Sequence, residues 1–272
     1  MRITQFYHNN RVHLGLIKDE SIFPVDFPGE MIDFIKGQYT TDSSGAPISL
    51  EKVRFAPVVT APSKIIGIGL NYQDHIQESK GKVPETPLVF AKFPNSLLGH
   101  EGQIILNNRL TGKVDYEAEL AVIIGKRIFD CPESEVMKAV FGYTCANDVS
   151  ARDLQFGDKQ WVRGKSLDTF CPLGPWIVTT DEIPDPQSLN IRCFLNGRVM
   201  QESNTGLMIF KLPQLISFLS KNFTLVPGDV ILTGTPHGVG AFRDPSIYLK
   251  DGDEIIIEIE KIGRLVNTCR TL

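Results

Sequence analysis

No segment of this sequence clusters lysine and arginine as a nucleic-acid surface requires, and no apolar run approaches the length of a membrane-spanning helix. The formal net charge is -4 and the isoelectric point is about 5.8. The longest apolar runs are short, as at Leu120 to Ile124. We therefore expect no nucleic-acid partner and no membrane span. An acidic substrate would need a local positive site, such as a metal ion.

Closely spaced cysteine pairs are also missing. The sequence has five cysteines, an odd number, and none belongs to a Cys-x-x-Cys motif. The first residues show neither the apolar core of a secretory signal nor the Arg/Ser-rich character of a transit peptide. We expect reduced, mostly buried thiols in a soluble, cytoplasmic protein. These cysteines are Cys131, Cys145, Cys171, Cys193 and Cys269.

The composition is that of an ordinary globular protein, with 42% hydrophobic and 22% charged residues. Ile3 to Tyr7 and Val12 to Ile17 read as two short strands around a turn at His8 to Arg11. We expect residues 1–60 to form a small N-terminal β-rich domain. A linker bracketed by Pro57 and Pro62 would lead into a catalytic domain at residues 61–272.

Regular alternation of strands and helices is missing from the larger part, which argues against a doubly wound parallel sheet. We predict a β-rich, mixed α+β fold. Two segments have helical spacing of apolar residues, Glu133 to Phe141 and Leu212 to Lys221. The predicted strands are Lys64 to Ile68, Leu88 to Ala91, Asp115 to Ile124, Trp176 to Thr179, Asn190 to Leu195, Val230 to Thr233 and Glu254 to Glu260.

Two glutamates lie at the start of a strongly apolar run. If Glu117 and Glu119 belong to one strand, their side chains share a face and their Cα atoms lie about 6.5 Å apart. Two such carboxylates repel each other unless a cation, a proton or a base lies between them. The pattern fits equally well a solvated edge strand with its acidic groups in water.

A third acidic residue favours a metal site. Asp148 follows the apolar stretch Val140 to Ala146. Three carboxylates, with water completing the shell, suit a hard cation such as Mg²⁺ or Mn²⁺. A matching set of cysteine and histidine ligands is missing, which argues against zinc.

These acidic residues belong to four motifs that occur in a fixed order along the chain. Together the motifs resemble the core signature of the fumarylacetoacetate hydrolase superfamily, over about residues 62 to 270. Further segments are similar to the type 2 subfamily of fumarylacetoacetate hydrolase domain-containing proteins. Among them are Lys159-Gln160-Trp161 and Ser203-Asn204-Thr205. The four motifs are Glu117-x-Glu119, Asn147-Asp148-x-Ser150-Ala151-Arg152-Asp153-x-Gln155, Gly164-Lys165-Ser166-x-Asp168 and Leu232-Thr233-Gly234-Thr235-Pro236-x-Gly238-Val239-Gly240.

The resemblance implies a mixed β-sandwich roll, a homodimer and a metal site. It assigns Glu117, Glu119 and Asp148 as ligands of the metal, which would chelate the 1-carboxylate and 2-oxo oxygen of a small 2-oxo acid and support an enolate. Lys165 would add a second positive group beside that oxygen. Four further residues would contact the substrate: Arg152, Gln155, Gly234 and Thr235. Arg152 has a second interpretation, a structural ion pair with Asp148 or Asp153, and Gly-Thr-Pro alone is merely a turn.

A second chemical element follows Asn71-Tyr72. On a helical turn His75 and Glu78 are neighbours, and a carboxylate beside an imidazole orients it and raises its basicity. A surface pair is the default interpretation of such spacing. The resemblance instead implies a lid, over residues 72–86, that carries a catalytic His-Glu dyad. Asp74 lies where larger hydrolytic members have another acidic ligand, and it stays unassigned.

Gly67-Ile68-Gly69 resembles the start of a dinucleotide-binding loop. The third glycine is missing because Tyr72 occupies its position, and no clear helix is predicted to follow. We exclude a dinucleotide site.

The expected activity is enolate chemistry on a 2-oxo or 2,4-dioxo acid. The subfamily resemblance favours oxaloacetate keto-enol tautomerisation or a related isomerisation. Acylpyruvate C–C hydrolysis and oxaloacetate decarboxylation are the alternatives, because all of these reactions need the same chelate. A catalytically inactive metal-binding partner protein is the alternative from another class, and the retention of His75, Glu78 and Lys165 argues against it.

Overall fold

A computed structural model describes residues 1–9, 11–37, 46–79 and 81–272; Asn10 of the predicted turn and Lys80 of the predicted lid lie outside them. The helices are α1 (Met31–Gly37), α2 (Gln73–Ser79), α3 (Glu133–Val136), α4 (Arg152–Gly157), α5 (Val162–Lys165) and α6 (Leu212–Asn222). The strands are β1 (Arg2–His8), β2 (Arg11–Lys18), β3 (Ser21–Pro24), β4 (Ile48–Ser49), β5 (Arg54–Phe55), β6 (Ile65–Gly69), β7 (Leu88–Lys92), β8 (Leu97–Leu98), β9 (Gln103–Leu106), β10 (Val114–Asp115), β11 (Ala118–Ile124), β12 (Val140–Asn147), β13 (Ser150–Ala151), β14 (Cys171–Thr179), β15 (Asn190–Leu195), β16 (Arg198–Asn204), β17 (Val230–Leu232), β18 (Glu254–Ile259) and β19 (Gly263–Thr271).

The larger sheet places the strands in the order β4-β3-β2-β1-β14-β12-β11-β17-β6-β7, with β5 beside β1 and β8 beside β14. Its neighbours are mostly antiparallel, but β17 runs parallel to β6. Every residue of β11 is buried, as expected for a central strand that is covered on both faces. The sheet is therefore mixed, as the sequence predicts.

A second sheet, in the order β16-β15-β18-β19-β9, packs against the larger one. The main hydrophobic core joins the two, with Leu120 and Val122 of β11, Tyr143 of β12, and Ile255 and Ile257 of β18 in one buried cluster. The prediction of a β-rich α+β sandwich is confirmed. This packing fixes the ends of β11 and β12, where the predicted acidic ligands lie.

The N-terminal residues extend the same large sheet. Strand β1 pairs with β14 at Arg2↔Val178 and Ile3↔Ile177. Ile3 also shares a buried cluster with Ala121 and Leu232 from the centre of the sheet. Sheet and core thus continue across residue 60, and the division into two domains there stays a prediction.

One helix prediction holds and the other fails in its second half. Helix α6 buries Leu215, Ile216 and Leu219 in the core at the spacing of a single helical face. Helix α3 ends at Val136, a 3₁₀ turn follows, and Val140 already begins β12, because pairing with β11 outweighs the helical spacing. None of the helices in the described ranges is long and apolar enough to cross a membrane.

Because of His100, which is not one of the candidate site residues, we expect the free energy of unfolding to depend on pH. Its Nδ1 accepts a hydrogen bond from the Val266 amide at 3.0 Å, and burial lowers its pKa to about 4. The unfolded chain therefore binds the extra proton first, so stability falls as the pH drops from about 6.5 towards 4. We expect wild type to lose about 1–2 kcal/mol more than His100→Asn between pH 7.5 and pH 5 in urea unfolding. Asparagine keeps an acceptor for the amide, and equal losses in both proteins would contradict this expectation.

Candidate active site

The three predicted acidic ligands converge. Carboxylate oxygens of Glu117, Glu119 and Asp148 lie within 4.8 Å of one another, and all three residues are buried. Their route to this point differs in part from the prediction, because β11 begins at Ala118 and Glu117 therefore precedes the strand. The amide of Asp148 donates to the Glu117 carbonyl at 2.9 Å, and this bond draws the two chain segments together.

The three carboxylates of the triad differ in how well their surroundings stabilise the charged form. Burial raises the pKa of Glu119 well above its usual range, and the charges of Asp148 and Glu117 raise it further. Burial acts the same way on Glu117, but Lys165 and Arg152 outweigh it and lower the pKa of that carboxyl. The triad thus offers three buried carboxylates, and the charged form of one of them is disfavoured. Such a set of oxygen donors fits a hard divalent ion.

Lys165, at the end of α5, is buried against the triad. Its Nζ donates to Glu117 Oε2 at 2.8 Å and to Asp148 Oδ2 at 2.6 Å. Burial alone would lower the pKa of Lys165, but these two carboxylates outweigh it and raise the pKa. The amine is therefore a fixed positive charge rather than a base. It pairs with two of the three acids, whereas Glu119 Oε2 accepts from the Gly234 amide at 2.7 Å.

Lys92 is a site residue that the sequence analysis missed. Its Nζ donates to Asp148 Oδ1 at 2.6 Å, and its side chain is buried. The sequence offers no clear signal, because the exposed Val89 and Ala91 are also apolar, and only the structure shows that Phe90 and Lys92 share the inward face of β7. A lysine at an inward strand position requires a buried anion.

Arg152 binds a different set of partners from those predicted. Its Nη1 donates to Glu117 Oε1 at 2.6 Å and to Gln155 Oε1 at 2.9 Å, and its Nε donates to Asp115 Oδ2 at 2.8 Å. The alternative pairs with Asp148 or Asp153 do not form, and Asp153 instead accepts from Thr111 at 2.6 Å. Arg152 thus links one acid of the triad to the cavity residue Gln155.

Asp115 begins one of the predicted strands, has no predicted role, and is fully buried. Besides Arg152, it accepts hydrogen bonds from the amides of Tyr116, Gly240 and Ala241 at 2.8–2.9 Å. We expect Asp115→Asn to destabilise the protein by about 3–5 kcal/mol, because it leaves the Arg152 guanidinium short of a buried counter-charge. Urea unfolding measures this loss. Asp153→Asn serves as the more exposed control, and equal losses in the two variants would contradict the role of Asp115.

His75 and Glu78 form the predicted pair on α2. His75 Nδ1 lies 3.3 Å from Glu78 Oε2, and Glu78 Oε1 accepts from the Gly238 amide at 2.9 Å. Burial alone would raise the pKa of Glu78, but the hydrogen bonds from His75 and Gly238 outweigh it and lower the pKa. An ionised Glu78 favours the tautomer in which His75 Nδ1 carries the proton and Nε2 is a free base.

Asp74 anchors this helix rather than joining the acidic cluster. Its Oδ1 accepts from the His75 amide at 2.8 Å, and its Oδ2 accepts from the Ser203 hydroxyl at 2.6 Å. These bonds fix the start of α2. A helix therefore does follow Gly67-Ile68-Gly69, contrary to the prediction from sequence. The first half of the segment predicted as a lid is thus tied to β16 through Asp74 and to Gly238 through Glu78.

A cavity of about 80 Å³ brings six predicted residues together. Glu119 and Asp148 are not among its walls, and neither is Gly234, whose amide is occupied by Glu119. Gly234 is therefore not placed as a substrate donor, while Thr235 Oγ1, which accepts from Gln201 at 2.9 Å, lines the cavity. The six residues are His75, Glu117, Arg152, Gln155, Lys165 and Thr235.

Comparison with known proteins supports the resemblance that the motifs indicate. Residues 64–270 match the family model of the fumarylacetoacetate (FAA) hydrolase C-terminal domain. The chain is 44% identical to oxaloacetate tautomerase Fahd2a, mitochondrial, of Rattus norvegicus, and 41% identical to oxaloacetate tautomerase FAHD2A, mitochondrial, of Homo sapiens; each alignment covers 98% of this chain and 91% of the relative. The structure resembles the fumarylacetoacetate hydrolase of Exiguobacterium antarcticum with a TM-score of 0.91 and 36% identity, covering all of both chains.

One expectation is wrong by this comparison. We expected a cytoplasmic protein, whereas both of these tautomerases are named as mitochondrial proteins. The absence of an obvious transit peptide did not justify the cytoplasmic assignment.

Proposed function

Because this chain belongs to the fumarylacetoacetate hydrolase family of enzymes, we propose that it catalyses the keto-enol tautomerisation of oxaloacetate. One observation carries the proposal. A histidine with a carboxylate partner and a protonated lysine line the same small cavity, and the lysine contacts two of the three converging acids. Tautomerisation needs this combination, a base for a C–H proton and positive charge beside an oxygen.

We propose Mg²⁺ or Mn²⁺ as the cofactor, held by Glu117, Glu119 and Asp148. The donor set supports this assignment because it consists of carboxylate oxygens alone. Such an ion, when bound, polarises a carbonyl and stabilises the negative charge that develops on its oxygen. Lys92 keeps Asp148 in place from the side away from Lys165, through its bond to the other carboxylate oxygen.

The residues around the cavity would bind and orient the acid. Arg152 holds the Gln155 carbonyl oxygen, which leaves the amide nitrogen of Gln155 to donate to a substrate carboxylate. The Thr235 hydroxyl accepts from Gln201 and keeps its own proton to donate. Lys165 stays protonated and would donate to the 2-oxygen as negative charge develops there.

His75 would move the proton. Its Nε2 would accept a proton from C3 of the keto acid as the C2–C3 double bond forms, and the resulting imidazolium would then give that proton to the 2-oxygen. Substrate and product therefore contain the same atoms, and no co-reactant is needed. Glu78 stabilises the imidazolium that exists between the two transfers.

The experiment adds oxaloacetate to the Mg²⁺-loaded protein and follows enol absorbance together with CO₂. Fast relaxation of the enol signal without CO₂ supports the tautomerase. Release of CO₂ at the same rate would instead identify a decarboxylase. Cleavage of acylpyruvates with no effect on oxaloacetate would identify a hydrolase. Tight Mg²⁺ binding without turnover of any 2-oxo or 2,4-dioxo acid would identify a metal-binding partner protein.

We also propose that the protein is a homodimer. Support comes from the family resemblance, not from a contact in this single chain. Light scattering coupled to size-exclusion chromatography tests it, with a mass near 30.3 kDa contradicting the dimer.

A further inference from the structure

The Gly67-Ile68-Gly69 segment, which resembles a cofactor loop, has a different use in the structure. Both glycines lie on β6, and because alternate residues of a strand share a face, they point the same way. A Cβ on Gly67 would lie 2.3 Å from Phe90 Cζ, and one on Gly69 would lie 2.6 Å from Trp161 Cζ3. Each glycine therefore makes room for an aromatic ring.

The two rings adjoin each other at the cavity. Phe90 and Trp161 have ring centroids 5.5 Å apart, tilted by 58°. Both line the cavity together with Gly69, on the side where Lys165 enters it. We call Gly67, Gly69, Phe90 and Trp161 the aromatic shelf.

The shelf is coupled to the cationic end of the cavity. Lys165 Nζ lies 5.0 Å from the centroid of the Phe90 ring, within the range of a cation–π contact. Trp161 and Lys165 are the two ends of one helical turn, since the Lys165 amide donates to the Trp161 carbonyl at 3.1 Å. A displacement of either ring would thus change both the cavity wall and the position of the ammonium group.

The size of the cavity limits what can lie against this wall. The volume is only about 80 Å³, so a short acid fits the cavity more readily than a long acyl chain. An added Cβ on Gly69 would also lie 2.8 Å from Leu88 Cδ2, so Leu88 and Trp161 both pack closely against this point of β6. The indole therefore forms a close-packed part of the cavity wall.

We propose that the aromatic shelf determines specificity: Trp161 limits the cavity to short 2-oxo acids, and Phe90 positions the Lys165 ammonium for them. This inference rests on the proposed function for its class of substrate. It assigns no catalytic step to the shelf, whose side chains act by shape and by their contact with Lys165.

The test measures dissociation constants by calorimetry on the Mg²⁺-loaded protein. Oxalate is the short probe and 2-oxoadipate the long one. We expect wild type to bind oxalate more tightly, and Trp161→Leu to reduce that preference about tenfold or more. We expect Gly67→Ala, which displaces Phe90, to weaken oxalate binding about twofold to thirtyfold.

Gly112→Ala is the matched control, because an added Cβ there meets no atom within 4 Å. Its dissociation constants should equal those of wild type. Trp161→Phe, which keeps an aromatic wall, replaces Trp161→Leu should that variant fail to fold, and we expect it to relax the preference by a smaller factor. An unchanged preference in a folded Trp161 variant would overturn the proposal. Oxalate binding without turnover of oxaloacetate would instead count against the tautomerase alone.

Discussion

Replacing His75 with glutamine is expected to lower kcat for oxaloacetate tautomerisation about 10²- to 10⁴-fold. Glutamine has a similar reach but cannot accept a proton from carbon. The Lys165 contacts do not involve the imidazole, so oxalate binding should change little. Enol absorbance in stopped flow gives kcat, and calorimetry gives the binding constant.

Two further variants sharpen this test. Glu78→Gln keeps a hydrogen-bond acceptor for His75 but removes the charge, so we expect a smaller loss of kcat than in His75→Gln. His8→Gln, at an exposed histidine of β1, is the control and should match wild type. If His75→Gln retains full turnover while Lys165→Met abolishes it, the dyad only holds α2 in place and the proton transfer must be reassigned.

The convergence of the three acidic side chains was predictable because they are few and chemically distinctive. Each of the three acids lies at one end of an apolar run, and such a position falls at the edge of a hydrophobic core. The three residues are Glu117, Glu119 and Asp148. A shared strand face nevertheless does not fully explain why Glu117 and Glu119 converge, since Glu117 precedes β11. Convergence depends on the register of β11 with β12, at Ala118↔Asn147, which one strand alone cannot reveal.

Lys92 and Asp115 show where sequence reasoning stopped. Their partners lie 56 and 37 residues away along the chain, so their functions exist only after β7, β10 and α4 have assembled. For Gly234 the error is of the opposite kind. The motif suggested that its amide donates to the substrate, whereas in the fold this amide donates to Glu119. Fold class depends on patterns that repeat along the chain, whereas these contacts depend on single long-range pairings.

Glu119→Gln is expected to stabilise the metal-free protein and to abolish its stabilisation by Mg²⁺. In the metal-free protein, burial raises the pKa of Glu119, and the charges of Asp148 and Glu117 raise it further. Glutamine removes this repulsion, while its side-chain oxygen can still accept from the Gly234 amide. The melting temperature in EDTA should therefore rise above that of wild type.

Added Mg²⁺ should reverse the order of the two proteins. A ligand that binds only the folded state stabilises it by about 2.7 kcal/mol at a concentration of 100 times Kd, and wild type should show this gain. Glu119→Gln should show almost none, because two carboxylates that already pair with Lys165 make a poor site for a divalent ion. Glu51→Gln, at an exposed position, controls for the loss of one negative charge. A full Mg²⁺ response in Glu119→Gln would remove Glu119 from the ligand set. The variant is expected to be more stable than wild type in EDTA and less stable in Mg²⁺. This reversal follows only if the Glu119 carboxylate repels its neighbours when the ion is absent and binds the ion when it is present.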